Sequence, residues 1–126
     1  MKYTISLTLF FAFIMTKQQT MFTELRGKGY HVEFHEVITE DDYILALYRI
    51  SGYQDQSNIG KTPLLFQHGI MDSSDCWSVN ADDKAPALVA VKEGYDVWLS
   101  NSRGNKYSRS HLSMNPNKDP FWQYSF

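Results

Sequence analysis

The sequence predicts an α/β fold in which an antiparallel hairpin leads into a parallel sheet. The prediction rests on two apolar segments joined by a short polar link, followed by two unbroken apolar strands with an amphipathic helix between them. Parallel strands need a crossover, usually a helix, and they are typically buried on both faces, so they read as continuous apolar runs. The chain has 126 residues, 43% of them hydrophobic and 21% charged, which fits one globular domain at most.

The hairpin comes first along the chain. Residues 31–38 alternate, imperfectly, between apolar and polar side chains, and a period of two is typical of a strand. Residues 43–50 form a second apolar segment, and the polar residues 39–42 between the two predict a tight antiparallel connection. Residues 21–28 are expected to form a short helical connector ahead of the hairpin.

The crossover follows a predicted loop over residues 51–62. Leu64-Leu65-Phe66 forms a short apolar strand opened by a proline, and we expect it to be buried on both faces. A helix is predicted to begin at Pro86, because proline is favoured in the first turn, and to end at Gly94. Residues 95–99 form the next buried strand, so strand, helix and strand predict a right-handed crossover and a parallel pair. The chain after residue 99 is expected to be loop.

The N-terminus has the features of a signal peptide, which we expect to cover residues 1–20. Lys2 supplies a positive charge, and residues 5–15 form an apolar stretch well short of the ~20 residues that a membrane-spanning helix needs. No pair of small residues marks a cleavage site, so an uncleaved anchor or a buried helix remains the alternative. Residues 21–126 would then form a partial domain delivered to the secretory pathway, and the product is expected to be secreted or lysosomal.

Composition excludes several classes of function. The net charge is -2 and the basic residues are scattered, which argues against nucleic acid or an anionic membrane as a partner. Aromatic residues make up 15% of the chain, and we interpret them as core rather than as a ring-lined pocket.

His31 and His35 lie on one face of a predicted strand and are interpreted as solvated side chains, so no metal and no cofactor are expected. Cys76 is the single cysteine and is interpreted as a small buried hydrophobe.

The turn His68-Gly69-Ile70 is the strongest candidate for chemistry. Acyl transfer places negative charge on a carbonyl oxygen, and backbone N–H groups in a loop after a strand can stabilise that charge. Ile70 would offer such an N–H, and Gly69 would give the loop freedom and room for a substrate. We expect His68 to fix the loop by hydrogen bonds rather than to act as the catalytic base. The competing interpretation is an ordinary glycine turn.

A second polar segment, residues 101–105, follows the last buried strand, at the sheet edge where α/β folds bind ligands. It could border an active site, but we favour a structural turn in which Arg103 binds loop carbonyls. No serine here has the flanking glycines of a nucleophile elbow. The serines considered were Ser73, Ser74, Ser102 and Ser108.

Taken together, these segments resemble the acid lipase family, which includes gastric and lysosomal lipases and related steryl ester hydrolases. The hairpin segment Glu36 to Leu45 is similar to the family pattern V-x-T-x-D-G-Y-I-L, and the segment Leu65 to Ser74 carries the His-Gly turn. The other matching segments, in order, are Gly29-Tyr30, Arg49-Ile50, Trp77, Gly94 to Asn105, Tyr107 to Arg109 and Phe121 to Phe126. The resemblance therefore covers the chain from about residue 29 to its end.

The resemblance implies the N-terminal part of an α/β-hydrolase fold and a serine hydrolase that acts on triacylglycerols or steryl esters. It assigns Ile70 as an oxyanion-hole donor, with His68 and Gly69 at the substrate site. Asp42 stands where the family usually has glycine, a change that we expect a different turn type to accommodate. Ile70 stands where leucine is usual, and a backbone donor does not depend on that change.

Members of the family are considerably longer than this chain. The resemblance implies that the nucleophile, the acid and the base lie beyond residue 126, so we expect a truncated segment that is inactive alone. The alternative is a non-catalytic lipid-binding or interaction protein derived from a lipase.

Overall fold

The computed structural model describes residues 20–125, which form one mixed β-sheet with helices packed on it. The predicted signal peptide, residues 1–20, lies outside this range except for Thr20, where the first helix begins. In chain order the elements are α1 (Thr20–Gly27), β1 (Tyr30–Ile38), β2 (Tyr43–Tyr53), β3 (Gln56–Ser57), β4 (Pro63–Phe66), a 3₁₀ helix (Ser74–Trp77), α2 (Pro86–Lys92), β5 (Asp96–Leu99), β6 (Ser110–His111) and a second 3₁₀ helix (Asp119–Trp122).

The sheet has the order β1-β2-β5-β4, and its pairing confirms the predicted fold class. β1 and β2 form the antiparallel hairpin, and β4 and β5 are parallel with α2 as the crossover between them. β2 and β5 pair antiparallel, which joins the hairpin to the parallel part. The short strands β3 and β6 pair with β2 outside this main order. The arrangement is an incomplete α/β sheet.

One face of the sheet carries the core. Val32, Ile50 and Val97 lie side by side in register across β1, β2 and β5, and each is almost completely buried. Leu88 of α2 packs in the same cluster, as does Phe22 of α1. Both helices therefore cover this face, and burial of its apolar row holds the hairpin and the crossover together.

The opposite face carries paired charges. The Arg49 guanidinium binds both oxygens of Asp96, at 2.8 and 2.7 Å, and reaches Glu33 at 3.2 Å. It also lies over the Trp98 ring, 5.0 Å from the ring centroid. Burial alone would raise the pKa of Glu33, but hydrogen bonds from His35 and from its other donors, Arg49 among them, outweigh it and lower that pKa. This face is thus stabilised by ion pairs rather than by helices α1 and α2.

The prediction of a loop over residues 51–62 is wrong for its first residues. β2 continues to Tyr53, and β3 folds back on it, with Gly52 opposite Ser57. A β-carbon at Gly52 would lie 2.2 Å from the backbone oxygen of Gln56, so only glycine allows this close approach. A two-residue strand has no periodicity, which is why the sequence does not reveal it.

Burial of β4 is also less than predicted. Leu65 is 66% exposed, whereas Leu64 and Phe66 are partly buried. β4 is the last strand in the sheet order, and Leu65 lies on the face opposite the core, in register with Trp98. An unbroken apolar run is therefore not sufficient to indicate burial on both faces.

The segment after residue 99 was predicted to be loop, but it contains β6 and a 3₁₀ helix. In β6, His111 pairs with Tyr43 at the start of β2. The Tyr43 hydroxyl in turn donates to the backbone oxygen of Phe121 at 2.5 Å, and Phe121 is fully buried. These contacts hold the C-terminal part of the described chain against the hairpin.

The hairpin turn places Asp42 in the left-handed conformation, with φ of 66°. A β-carbon in this region costs energy that glycine avoids, although aspartate tolerates it better than most residues. Asp42 itself therefore adopts a conformation that favours glycine.

We expect Asp42→Gly to raise the free energy of unfolding by about 0.5–1 kcal/mol, because it removes this strain at some cost in unfolded-chain entropy. The measurement is the denaturant midpoint of the purified chain. Asp55→Gly is the matched control: Asp55 also lies in a hairpin turn but is not among the residues with positive φ, so it should show no gain. Equal or lower stability of Asp42→Gly would contradict the interpretation.

Candidate active site

Two loops form an open cleft at the carboxyl ends of the parallel strands. The β4 loop, residues 67–73, follows β4, and the β5 loop, residues 100–106, follows β5. Residues 67–73, residues 102–106 and Tyr124 line the cleft, which has a volume of about 1060 Å³. This is the edge at which α/β sheets bind ligands, and the volume suits a small molecule or one end of a larger one.

The tip of the β4 loop presents apolar side chains and a free amide. Ile70 is 89% exposed and Met71 is 100% exposed, with φ of 64° at Met71. The turn is closed by the Asp72 N–H, which lies 3.3 Å from the Gly69 oxygen. Within residues 20–125, the Ile70 N–H has no hydrogen-bond acceptor. The loop thus carries an unpaired donor at the wall of the cleft.

His68 joins the two loops. Its ring is buried, with Nδ1 lying 2.7 Å from the Gly69 oxygen. Nε2 lies 3.0 Å from the Ser102 nitrogen and 3.1 Å from Nδ2 of Asn105. One imidazole therefore ties the turn of the β4 loop to the β5 loop.

Asn101 is the residue that sequence reasoning missed. It is 1% exposed, at the start of the β5 loop. Its Oδ1 accepts from the Ser74 N–H at 3.0 Å and from Asn105 Nδ2 at 2.8 Å. Its Nδ2 donates to the Ala46 oxygen at 3.2 Å and to the Ser74 hydroxyl at 3.1 Å. A buried amide with every group satisfied specifies one arrangement of its neighbours, and an asparagine two residues after a buried strand was the available signal.

The serines near the cleft make structural hydrogen bonds. The Ser108 hydroxyl is fully buried; it donates to the Asn101 oxygen and accepts from the Ala46 N–H, both at 2.9 Å. Ser74 is fully buried and Ser73 nearly so. The Ser102 hydroxyl accepts from Gln67 Nε2 at 2.9 Å.

The prediction that Arg103 binds loop carbonyls is wrong. Its guanidinium binds the Asp41 carboxylate at 2.5 Å and lies over the rings of Tyr43 and Tyr124, at 4.8 and 5.5 Å from their centroids. A hydrogen bond from the Thr39 hydroxyl, together with Arg103, lowers the pKa of Asp41. The hairpin turn lies far from Arg103 in sequence, so no local pattern could have identified this pair. The segment nevertheless borders the cleft, as one of the two interpretations expected.

Cys76 lies in the first 3₁₀ helix and is partly rather than fully buried. Burial and the nearby Asp72 raise the pKa of its thiol, which disfavours the reactive thiolate form. Asp75 instead accepts hydrogen bonds from Lys106 and from the Tyr107 hydroxyl, the latter at 2.7 Å.

The histidines of the hairpin have local partners. The His31 ring bonds the Gln54 oxygen at 2.8 Å, and the His35 ring bonds Glu33 at 2.9 Å. Across residues 20–125 no group of three His, Cys, Asp or Glu side chains is placed to hold a metal ion.

Comparison with known proteins connects this geometry to a family. Residues 24–81 match the family described as "Partial alpha/beta-hydrolase lipase region". Gastric triacylglycerol lipase of Mus musculus is 45% identical over 100 residues, which cover 78% of this chain and 25% of that protein. A probable lipase of Schizosaccharomyces pombe is 43% identical over 98 residues, covering 77% of this chain and 22% of the relative. Lipase 1 of Drosophila melanogaster is 42% identical over 98 residues, covering 78% and 21% respectively.

The chain spans about a quarter of the length of the curated relatives that it matches. Within that span both the sequence and the hairpin-to-parallel sheet agree with an α/β-hydrolase. Over this N-terminal portion, the comparisons support assignment of the chain to the acid lipase family of α/β-hydrolases.

Proposed function

We propose that the chain contributes the first part of a lipase or steryl esterase that hydrolyses carboxylic esters of apolar lipids. The observation that carries the proposal is the Ile70 N–H on the wall of the cleft, which has no hydrogen-bond acceptor among residues 20–125. Relatives named as lipases support the substrate class, since they are 42–45% identical to this chain over the same region. Exposed apolar side chains at Ile70 and Met71 suit a lipid substrate.

In the proposed reaction a serine hydroxyl adds to the ester carbonyl carbon and gives its proton to a base. The carbonyl oxygen becomes negatively charged, and two backbone N–H groups stabilise that charge. The alcohol then leaves with the proton, and water releases the acid from the acyl-enzyme. In this scheme Ile70 supplies one of the two donors. The 126 residues contain no Gly-x-Ser-x-Gly turn, so we propose that the chain alone does not catalyse the reaction.

Gly69 and His68 complete the proposed site on this side of the cleft. A β-carbon at Gly69 would have no atom within 4 Å, so the space beside the donor is open to a substrate. His68 is mostly buried, and its ring supports the loop through hydrogen bonds. We therefore propose that Gly69 borders the substrate and that His68 acts on the loop that carries the donor.

The test of this function uses the reading frame that continues past the codon for Phe126. We expect it to encode Gly-x-Ser-x-Gly and its product to hydrolyse lipid esters. In that product, Ile70→Pro removes the N–H and should lower kcat about 10²–10³-fold, as expected for loss of one oxyanion donor. Ile70→Leu keeps the N–H and is the matched control, with kcat little changed.

Activity of Ile70→Pro equal to that of Ile70→Leu would contradict the role of the amide. For the 126-residue chain alone, turnover that a serine-directed phosphonate blocks would contradict its proposed inactivity. Binding of the chain to lipid vesicles, with no such reading frame and no turnover, would favour the non-catalytic lipid-binding protein instead.

We also propose that the chain enters the secretory pathway, to be secreted or delivered to a lysosome, because residues 1–20 have the pattern of a signal peptide. Neither helix within residues 20–125 has the length and the apolar composition that a membrane-spanning segment requires.

Expression in eukaryotic cells, followed by N-terminal sequencing, should recover a product in the medium or in lysosomes that begins near residue 20. Leu9→Arg places a charge in the apolar stretch and should abolish this delivery. Recovery of the unchanged chain in the cytosol, with Met1 or Lys2 at its start, would contradict the proposal.

A further inference from the structure

We propose that His68 sets the direction of the Ile70 N–H, and that Ser102 and Asn105 hold His68 in the single tautomer able to do so. His68 is then a positioning residue and Ile70 the stabilising group. The catalytic role of the Ile70 N–H rests on the proposed function. The direction in which that N–H points follows from hydrogen-bond geometry alone.

The first step concerns the peptide between Gly69 and Ile70. The Gly69 carbonyl and the Ile70 N–H belong to the same planar trans unit, so they point in opposite directions. Nδ1 of His68 lies 2.7 Å from the Gly69 oxygen, whereas the Asp72 N–H is more distant from it, at 3.3 Å. Fixing the carbonyl on the His68 side therefore directs the N–H away from that ring.

This control matters because, apart from the longer hydrogen bond from the Asp72 N–H, little else restrains this peptide. Glycine has no β-carbon to restrict its backbone, and the space around Gly69 is open. Ile70 and Met71 are almost fully exposed, so side-chain packing does not hold the tip of the loop. The buried His68 ring is therefore the main restraint on this peptide.

The second step fixes the tautomer. Neutral histidine has one ring N–H, and a ring nitrogen without a proton accepts hydrogen bonds. Nε2 faces the Ser102 backbone N–H at 3.0 Å, and a backbone nitrogen can only donate. Nε2 must therefore accept, which places the proton on Nδ1, where it donates to the Gly69 oxygen.

The third step excludes the opposite orientation of the Asn105 side chain. Its Oδ1 accepts from the backbone N–H groups of Tyr107 and Ser108, both at 2.9 Å. Its Nδ2 donates to Asn101 Oδ1 at 2.8 Å and lies 3.1 Å from Nε2 of His68. Exchanging oxygen and nitrogen would lose all of these bonds, so Asn105 also presents a donor to Nε2. The β5 loop thus determines how the β4 loop presents its amide.

Nuclear magnetic resonance on the full 126-residue chain tests the proposal without any need for turnover. Two-bond ¹H–¹⁵N correlations should show the His68 proton on Nδ1 and Nε2 unprotonated at neutral pH. The backbone ¹⁵N order parameter of Ile70 should be close to the rigid value of about 0.85 despite its exposure. A proton on Nε2, or an Ile70 order parameter below about 0.6, would overturn the proposal.

Two variants separate the role of each ring nitrogen. In His68→Asn, Nδ2 occupies the place of Nδ1 and can still donate to the Gly69 oxygen, so Ile70 should stay ordered. His68→Gln reaches the place of Nε2 and loses that donor, so the Ile70 order parameter should fall below about 0.6. His31→Gln is the control, since His31 bonds the separate β2–β3 turn through the Gln54 oxygen. Equal order in His68→Asn and His68→Gln would overturn the proposal.

These readouts also separate this inference from the proposed function. An ordered Ile70 amide in a reading-frame product without esterase activity would leave the positioning role intact and contradict the lipase. Esterase activity with a disordered Ile70 amide would support the lipase function and contradict the positioning role of His68.

Discussion

The buried side-chain amide of Asn101 is the interaction on which the geometry of the cleft depends. It bonds β2 through Ala46, the 3₁₀ helix through Ser74 and the β5 loop through Asn105, with all four of its hydrogen-bonding positions occupied. Leaving a buried polar group unsatisfied costs about 1–3 kcal/mol. Removing this amide would leave several such groups, so the site loops and the sheet are linked through one residue.

The apolar core sets where that residue stands. Burial of Ile50, Val97 and Leu99 fixes β5 between β2 and β4, so Asn101 leaves the sheet at a defined place. From there Asn105 reaches His68, and His68 reaches the turn that carries Ile70. Tight packing of the sheet core and the hydrogen-bond network through Asn101, Asn105 and His68 together hold the backbone of the β4 loop in one conformation, although the tip of this loop is apolar and exposed.

The sequence was sufficient for the features that local pattern encodes. The strand β1, the polar turn at residues 39–42 and the start of α2 at Pro86 were all predicted correctly. It was not sufficient for contacts between distant segments. Arg103 pairs with Asp41 and Asn101 bonds Ala46, 62 and 55 residues apart, so no window of sequence contains both partners. The exposure of Leu65 was missed for a similar reason, because sheet order and not composition decides which strand lies at the edge.

Hydrogen exchange at the Ser74 backbone amide tests the central role of Asn101 most directly. This N–H donates to Asn101 Oδ1 at 3.0 Å, although Ser74 lies at the start of a short 3₁₀ helix outside the sheet. If Asn101 fixes the loops to the core, the Ser74 amide exchanges as slowly as that of Val97 in β5. Exchange as fast as that of the exposed Met71 amide would contradict the account, because the hydrogen bond between Ser74 and Asn101 would then open independently of the core.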